Sequence, residues 1–206
     1  MQSGVDYNLT ISNDLVNITS ANVTIIYGQN ATVNVTLNST RATGIVTVVI
    51  NGKEFNATLV NGTVLVNITC DNWAVGEYVF NITYPGDGNF TGNVSANYTL
   101  NITKSAVNVT GANVTIIYGD NATINVTLNN TRATGNITIM INGTPFNATI
   151  SANGTINVTV DVDDWASGNY TFNITYYGDG NFTGNVSANY TLNITKAAVN
   201  VYHQLY

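Results

Sequence analysis

The sequence repeats itself after about 91 residues, and this duplication limits what the chain can fold into. The segment ANVTIIYG at residues 21–28 recurs unchanged at 112–119, and GDGNFTGNVSANYTLNITK at 86–104 recurs at 178–196. The offset rises from 91 to 92 between these segments, which indicates a one-residue insertion near Ser151. Two near-identical halves predict two copies of one domain, each large enough to bury its own core.

Short segments in which apolar and polar residues alternate predict an all-β fold in each copy. Asn51-Gly52 and Asn142-Gly143 lie between apolar runs and predict tight hairpin turns, because both residue types tolerate positive φ. Seven strands in a domain of this size predict an immunoglobulin-like (Ig-like) β-sandwich. The predicted strands of the first copy span residues 16–27, 31–37, 44–50, 54–59, 63–69, 77–84 and 95–103.

A corner of Trp and Tyr opens the sixth predicted strand of each copy. The segments DNWAVGEYVF at 71–80 and DWASGNYTF at 164–172 resemble the tyrosine corner of Ig folds, in which a Tyr hydroxyl bonds to backbone a few residues upstream. Alternation places Phe80, Ile82 and Tyr84 on the core face. Core packing is also the predicted role of Tyr27, Tyr78 and Tyr84 and of their copies Tyr118, Tyr170 and Tyr176.

The chain also resembles the bacterial Ig-like repeats that occur in tandem in large adhesin-like surface proteins, including those of methanogenic archaea. The resemblance is carried by YPGDGNF at 84–90, YYGDGNF at 176–182, Ala-Thr-Gly at Ala42 and Ala133, and the Trp-Ala-x-Gly corner. It covers almost the whole chain. It implies two tandem Ig-like β-sandwich domains in an extracellular stalk or display module without catalytic residues.

Alignment of the two copies gives the predicted domain boundaries. Residues 6–12 align with the last strand of a unit, and residues 195–201 align with the first strand of the next. The chain therefore has a spare strand at each end, either because it is an excerpt of a longer array or because these strands complete neighbouring copies by β-augmentation. In an isolated monomer we expect both to be disordered. We predict an N-terminal strand or tail over 1–13, repeat one over 14–104, repeat two over 105–196 and a C-terminal strand or tail over 197–206.

The motif N-x-[ST] accounts for 30 of the 35 asparagines, whereas chance would give about seven. This motif is the acceptor for N-linked glycans, which are added to exposed sites outside the cytoplasm. An alternative is that Asn and Thr are the polar half of a β alternation, although Asn is depleted in strands. Because residues i and i+2 share a face, Asn34 and Thr36 point outward together. We predict glycans at Asn17, Asn34, Asn38, Asn61, Asn67, Asn81, Asn89, Asn101, Asn108, Asn125, Asn129, Asn153, Asn157, Asn173, Asn181 and Asn193.

Charged residues make up only 8% of the chain, far below the usual quarter. With five Lys and Arg and a net charge of −6, no basic patch is available for nucleic acid or for an anionic membrane surface. No apolar run is long enough for a membrane helix. A bare β protein with so few charges is prone to association through its strand edges, and hydrated glycans could replace the missing charges.

No constellation of residues typical of catalysis is present. His203 is the sole histidine and lies in a nonrepeating tail, so no His-based triad or repeated metal site can be built. Cys70 is the sole cysteine and aligns with Val162, which predicts a small buried hydrophobe. Lys104 and Lys196 match in position, but the domain junction disfavours the Lys–Asn isopeptide link known in surface adhesins. We predict no enzyme, no catalytic residue and no cofactor.

Two acidic segments have competing interpretations. The segment DVDD at 161–164 could gather around calcium, but the first copy offers only Asp71 and Glu77 there, which favours a solvated acidic loop. The segment GDGN at 86–89 lacks the further carboxylates of a calcium loop and is interpreted as a turn into the last strand. We predict no metal site.

Three functions are consistent with the sequence. The first is a rod-like stalk segment of a heavily N-glycosylated extracellular adhesin, located on the cell surface. The second is a subunit of an extracellular filament assembled by strand complementation between copies. The third is a carbohydrate-binding module that uses exposed loops. The predicted partners are covalent N-linked glycans and neighbouring copies or adjacent repeats.

Overall fold

The computed structural model describes residues 8–151 and 153–199, and the only regular secondary structure in these ranges is β-strand. The chain divides into two compact units, Met1–Thr103 and Lys104–Tyr206. The first unit has strands β1 (Asp14–Leu15), β2 (Ile18–Thr19), β3 (Val23–Ile26), β4 (Ala31–Leu37), β5 (Ile45–Ile50), β6 (Lys53–Thr58), β7 (Thr63–Ile68), β8 (Gly76–Gly86), β9 (Phe90–Val94) and β10 (Tyr98–Thr103). The second unit has β11 (Val109–Thr110), β12 (Val114–Ile117), β13 (Ala122–Leu128), β14 (Gly135–Ile141), β15 (Thr144–Ile150), β16 (Thr155–Val160), β17 (Gly168–Gly178), β18 (Thr183–Val186) and β19 (Tyr190–Thr195).

Each unit consists of a smaller and a larger sheet. In the first unit, β2, β4 and β7 form the smaller antiparallel sheet. The larger sheet is centred on the long strand β8, which pairs with β5, β9 and β10. Its remaining strands are β6 beside β5, β3 parallel to β10, and β1 parallel to β9. The second unit repeats this plan, with β11, β13 and β16 in the smaller sheet and the larger sheet centred on β17.

The core of each unit lies between its two sheets. Inward residues alternate with outward polar residues, so that β4 contributes Val33 and Val35 while Asn34 between them is exposed. In the first unit, one hydrophobic cluster contains these valines together with Phe80 and Ile82 of the opposite sheet, and all four are fully buried. The predicted all-β sandwich is therefore confirmed.

Both predicted hairpin turns are present. Asn51 and Gly52 have φ of 50° and 68°, and Asn142 and Gly143 have φ of 47° and 81°. These positive values are the ones that the turn between β5 and β6, or between β14 and β15, requires.

The first predicted strand, residues 16–27, is not continuous in the structure. It divides into β2, which pairs with β4 in the smaller sheet, and β3, which pairs with β10 in the larger sheet. The preceding β1 pairs with β9 in the larger sheet. The chain thus changes sheets twice within 14 residues, and period-two alternation alone does not reveal such changes.

No strand is predicted where β9 lies, between the GDGN turn and the last predicted strand. Strand β9 forms because the loop after β8 closes very tightly, with Gly86 at a φ of 91° and Gly92 next to Pro85. A Cβ atom on Gly92 would lie only 2.7 Å from the Pro85 carbonyl oxygen. Glycine, which usually indicates a loop, is needed here to bring two strands together.

The described parts of the two predicted spare strands carry no strand. Residues 8–12 are exposed, with Leu9 and Ile11 at 85% and 84% of full exposure. Residues 197–199 are also outside any strand, and Val199 is 85% exposed. Residues 6, 7, 200 and 201 of these predictions lie outside the described residues. Residues 8–12 have no place to pair in the first unit because β10, with which they align, already fills that position.

Candidate functional site

The Tyr corner has the predicted geometry in both units. The Tyr78 hydroxyl donates to the Ala74 carbonyl oxygen over 2.9 Å, and the Tyr170 hydroxyl donates to the Ala166 carbonyl oxygen over 2.8 Å. The ring of Trp73 lies 5.1 Å from that of Tyr78, measured between centroids. This corner is therefore a structural device that fixes the start of β8 and of β17.

The GDGN segment of the first unit is a turn that fastens two loops together. Oδ1 of Asp87 accepts hydrogen bonds from the backbone N–H groups of Asn89 and Phe90, at 2.8 and 3.0 Å. Its Oδ2 accepts from the backbone N–H and the hydroxyl of Thr43, at 2.9 and 3.0 Å, and the Tyr84 hydroxyl donates to the Thr43 carbonyl oxygen. The N–H groups of Asn89 and Thr43 hold the pKa of Asp87 well below its ordinary value.

The second unit repeats this arrangement around Asp179. Its carboxylate accepts from the backbone N–H groups of Thr134, Asn181 and Phe182, at 2.9, 2.7 and 2.9 Å. Burial opposes ionisation of Asp179, but these N–H groups together lower its pKa. Burial, together with the nearby charge of Asp179, raises the pKa of Tyr176 to about 12. Both carboxylate oxygens are thus engaged. The segment is a turn, as predicted, but it leads into β18 and not into the last strand, β19.

The remaining candidates for chemistry are structural or solvated. Among residues 8–151 and 153–199, no three His, Cys, Asp or Glu side chains are placed to hold a metal ion. Cys70 is buried as predicted, and burial raises the pKa of its thiol. The ammonium group of Lys104 donates to the Asp179 carbonyl oxygen over 2.6 Å. In the same ranges, we find no helix with the length and apolar character that crossing a membrane requires.

The tyrosine predictions are correct except at one position. Tyr84 and Tyr176 are buried in the cores, but Tyr118 is 50% exposed. It follows the last residue of β12 at a turn with Gly119, where φ is 93°. The copy Tyr27 lies at the same turn, with Gly28 at a φ of 96°, but packs partly buried against the core of the first unit, so the repeat did not predict the environment of Tyr118.

None of the described asparagines is buried. Of the 16 predicted glycan sites, 12 are exposed and four are half-buried, namely Asn81, Asn173, Asn181 and Asn193. The outer face of the smaller sheet in the second unit holds Asn125 and Asn157 directly opposite each other. Asn125 donates through Nδ2 to Oδ1 of Asn157 over 2.8 Å. Neighbouring sequons on this face are close enough to crowd two glycans.

Several asparagines have a structural role that the sequence did not predict. Where the chain passes from β1 to β2, Asn93 donates through Nδ2 to the carbonyl oxygen of buried Val16 over 2.6 Å. Oδ1 of Asn38 accepts from the backbone N–H of Asn17 over 2.9 Å. These bonds satisfy the carbonyl group of Val16 and the N–H group of Asn17, where the chain has left one sheet and has not yet joined the other.

The same bonds recur in the second unit. Asn185 donates through Nδ2 to the carbonyl oxygen of buried Val107 over 2.8 Å, and Oδ1 of Asn129 accepts from the N–H of Asn108 over 2.9 Å. Other loop asparagines accept from backbone N–H groups in both units, namely Asn22 and Asn30 with their copies Asn113 and Asn121. The available sequence signal was the recurrence of Asn30, Asn38 and Asn93 next to the predicted strands, whereas Asn22 lies within the predicted strand 16–27.

The sandwich topology and the Tyr corner define an Ig-like domain, present twice. Residues 18–103 and 106–195 each match the bacterial Ig-like domain (group 3) family, and the chain belongs to this family. Domains of this kind are generally non-catalytic structural modules. No curated protein sequence matches the chain.

Solved structures with a similar arrangement share little sequence with this chain. The fibronectin(III)-like modules of Clostridium thermocellum CbhA are 14% identical with a TM-score of 0.34, over 92% of this chain and all of that chain. A Ca²⁺-stabilised adhesin with which an Antarctic bacterium binds ice is 18% identical with a TM-score of 0.34, over 92% of this chain and 51% of that one. The Yersinia pseudotuberculosis adhesin InvE is 14% identical with a TM-score of 0.39, over 86% and 58%. Similarity at this level carries no argument about ligands or partners.

Proposed function

We propose that the chain is a structural segment of an extracellular, N-glycosylated, adhesin-type surface protein, in which it forms part of a stalk. Membership of the bacterial Ig-like family supports a surface or extracellular location. The observation that carries the proposal is the exposure of sequon asparagines on sheets that have almost no charge. Examples on the smaller sheets are Asn34, Asn67, Asn125 and Asn157.

The edges of the larger sheets carry only a few residues that discourage association, and this scarcity supports the need for a glycan coat. At one edge, β6 carries Lys53 and Glu54, and the equivalent strand β15 carries Pro145. Charges and proline at an edge discourage pairing with another chain. Few other charges are available, because the whole chain has only 16 charged residues. Hydrated sugars on the outward faces would supply the missing protection.

The hydrogen bonds of individual asparagines favour glycans at some sequons over others. Asn93 and Asn185 are half-buried, donate through Nδ2 to buried carbonyl groups and accept through Oδ1 from the following backbone N–H. We infer that these two sequons stay bare in the folded protein. Asn61 and Asn153 lie in exposed turns, and we expect these two sequons to carry glycans.

The connection between the two units is short. Strand β10 ends at Thr103, and Ser105 already pairs with Phe182 of the second unit. The backbone N–H of Ser105 donates to the Asn181 carbonyl oxygen over 3.0 Å. Only Lys104 lies between these two paired positions. We therefore expect little bending at this connection, which small-angle scattering of the isolated chain can measure.

Surface labelling tests the proposed location. Intact source cells are treated with a protease or with a membrane-impermeant amine reagent, and peptides of this chain are identified by mass spectrometry. Peptides recovered from intact cells would support the proposal. Recovery only after cell lysis, with a known surface protein labelled in the same sample, would contradict it.

A filament subunit is the second candidate, favoured by the exposure of Leu9 and Ile11. These residues align with Leu100 and Ile102 of β10, which are buried. An incoming strand needs a vacant position, but β10 and β19 fill the corresponding positions in the two described units. A stalk requires no strand exchange and is therefore the function we prefer.

A further inference from the structure

The outer face of the larger sheet in the second unit has a groove of about 480 Å³ between β14, β15 and the end of β17. Two sequons line it on neighbouring antiparallel strands, Asn136-Ile-Thr138 and Asn147-Ala-Thr149. In the strand register Asn136 lies opposite Thr149 and Thr138 lies opposite Asn147. Each asparagine therefore faces the hydroxyl residue of the other sequon.

The hydrogen bonds across this groove orient the amide group of Asn147. The Tyr177 hydroxyl donates to Oγ1 of Thr138 over 3.1 Å, and Thr138 donates to Oδ1 of Asn147 over 2.7 Å. Among the described residues, no hydrogen bond uses Nδ2 of Asn147, and its side chain is exposed. These two hydrogen bonds hold Oδ1 of Asn147 in place and leave its reactive Nδ2 accessible.

Tyr177 places an aromatic ring at the same groove. The residue is 63% exposed, which is unusual for a large aromatic side chain on a polar sheet face, and its hydroxyl is fixed by the bond to Thr138. The ring is an uncovered apolar surface beside the amide and hydroxyl groups of the two sequons, and Ile137 and Ala148 also line the groove. A sugar ring offers the matching combination, with C–H groups on one face and hydroxyl groups at its edge.

We propose that Asn147 carries an N-linked glycan whose first sugar packs on the ring of Tyr177 in this groove. The inference rests on the proposed glycosylation. The linkage would form by transfer from an oligosaccharide activated as a phosphate ester at its C1 atom. The Nδ2–C1 bond forms and the C1–O bond to phosphate breaks. One Nδ2 proton is lost to a base, and the phosphate leaves with the bonding electrons. Oδ1 keeps its bond from Thr138.

The first unit contains a matched control. Thr47 donates to Oδ1 of Asn56 over 2.6 Å in the same strand register, so the sequon Asn56-Ala-Thr58 has the same orientation. Pro85 stands in place of Tyr177, and Ile45 in place of Asn136. Asn56 therefore has the same hydrogen bond but lacks both the aromatic ring and the opposite sequon, and substitution of Tyr177 isolates the effect of the ring.

The test compares these two sites in protein isolated from source cells. Glycopeptide mapping gives the occupancy of Asn147 and Asn56, and the rate of glycan release by an amidase from the folded protein measures protection. We expect Asn147 to be occupied and its release to be about two- to tenfold slower than at Asn56, the range expected for one aromatic contact. Tyr177→Pro, which copies the first unit, should remove this difference. Tyr177→Thr is a second variant in case proline perturbs β17.

The outcomes separate this inference from the proposed function. Glycans at other sequons with Asn147 bare would overturn the inference and leave the function standing. Equal release rates that neither variant changes would overturn the contact with Tyr177. Absence of glycans from every sequon would overturn both.

Discussion

The carboxylates of Asp87 and Asp179 show how single residues hold the loops of both units. Each accepts bonds from backbone N–H groups of its own turn and from the Thr of the opposite Ala-Thr-Gly loop. No buried side-chain nitrogen or oxygen of the described residues lacks a hydrogen-bond partner. The motif that carries the family resemblance is therefore a structural lock, and its acidic residue has no spare oxygen for a ligand.

The lock predicts a defined pH dependence. Because hydrogen bonds lower the pKa of Asp87 in the folded state, its ionised form stabilises the fold above the unfolded pKa of about 4. This contribution is lost as the pH falls from that value through the folded pKa. Asp87→Asn should lower the urea midpoint at neutral pH and weaken its fall in acid. Asp120→Asn, in an exposed turn, is the control, and an equal effect of both substitutions would contradict the lock.

The hydrogen bond of the Tyr corner predicts a modest loss of stability when it is removed. Tyr78→Phe removes the bond to Ala74, but Ala74 is exposed, so water can replace the lost donor. We expect a loss of about 0.5–1.5 kcal/mol in the free energy of unfolding, measured by urea denaturation. Tyr170→Phe should behave alike. Tyr118→Phe, at an exposed Tyr, is the control and should change little.

At the scale of strands and loops, the alternating pattern predicted most of the sandwich. Segments such as 31–37 and 63–69 alternate cleanly because one face is buried and the other meets solvent. The pattern did not predict where the chain changes sheets near Val16, because side chains there stay apolar while their backbone partners change. It also did not predict that Asn93 would bond to the Val16 carbonyl group where the chain changes sheets. In the sequence, Asn93 belongs to an N-x-[ST] motif and is interpreted as a glycan acceptor.

The sheet change predicts a cost for removing its asparagine. Asn93→Ala leaves the carbonyl oxygen of buried Val16 without its partner, which should cost about 1–3 kcal/mol in the free energy of unfolding. The measurement uses recombinant protein without glycans, so that loss of a sugar has no part in it. Asn97→Ala removes a nearby exposed sequon and should cost under about 0.5 kcal/mol. Similar costs for both would argue against the structural role.

At the scale of the whole molecule, the two units are repeats. They share the aspartate hydrogen bonds between loops, the Tyr corner and the passage of the chain from one sheet to the other. Repetition of these structural features is typical of modules whose shared task is mechanical. The copies differ at outward positions such as Pro85 and Tyr177 and, conservatively, in the core, where Val162 replaces Cys70. The terminal segments distinguish the two candidate functions, because only a filament requires them to pair with another copy of the chain.

Truncation tests that distinction. Deleting residues 1–12, or separately residues 197–206, should leave both units folded and the association state unchanged if the chain is a stalk segment. Sedimentation and electron micrographs measure the association. Filaments in the full chain that disappear in either truncated form, with circular dichroism unchanged, would instead establish strand exchange as the mechanism.

The most direct measurement of the central claim is the mass of the peptides that cover this chain, taken from the protein isolated from its source and compared before and after removal of glycans. We predict peptides heavier than their sequences by many sugar-sized steps, with sugars on outward sites such as Asn34, Asn67 and Asn157 and none on Asn93 or Asn185. Sequon peptides that all have the mass of the bare polypeptide would contradict the account.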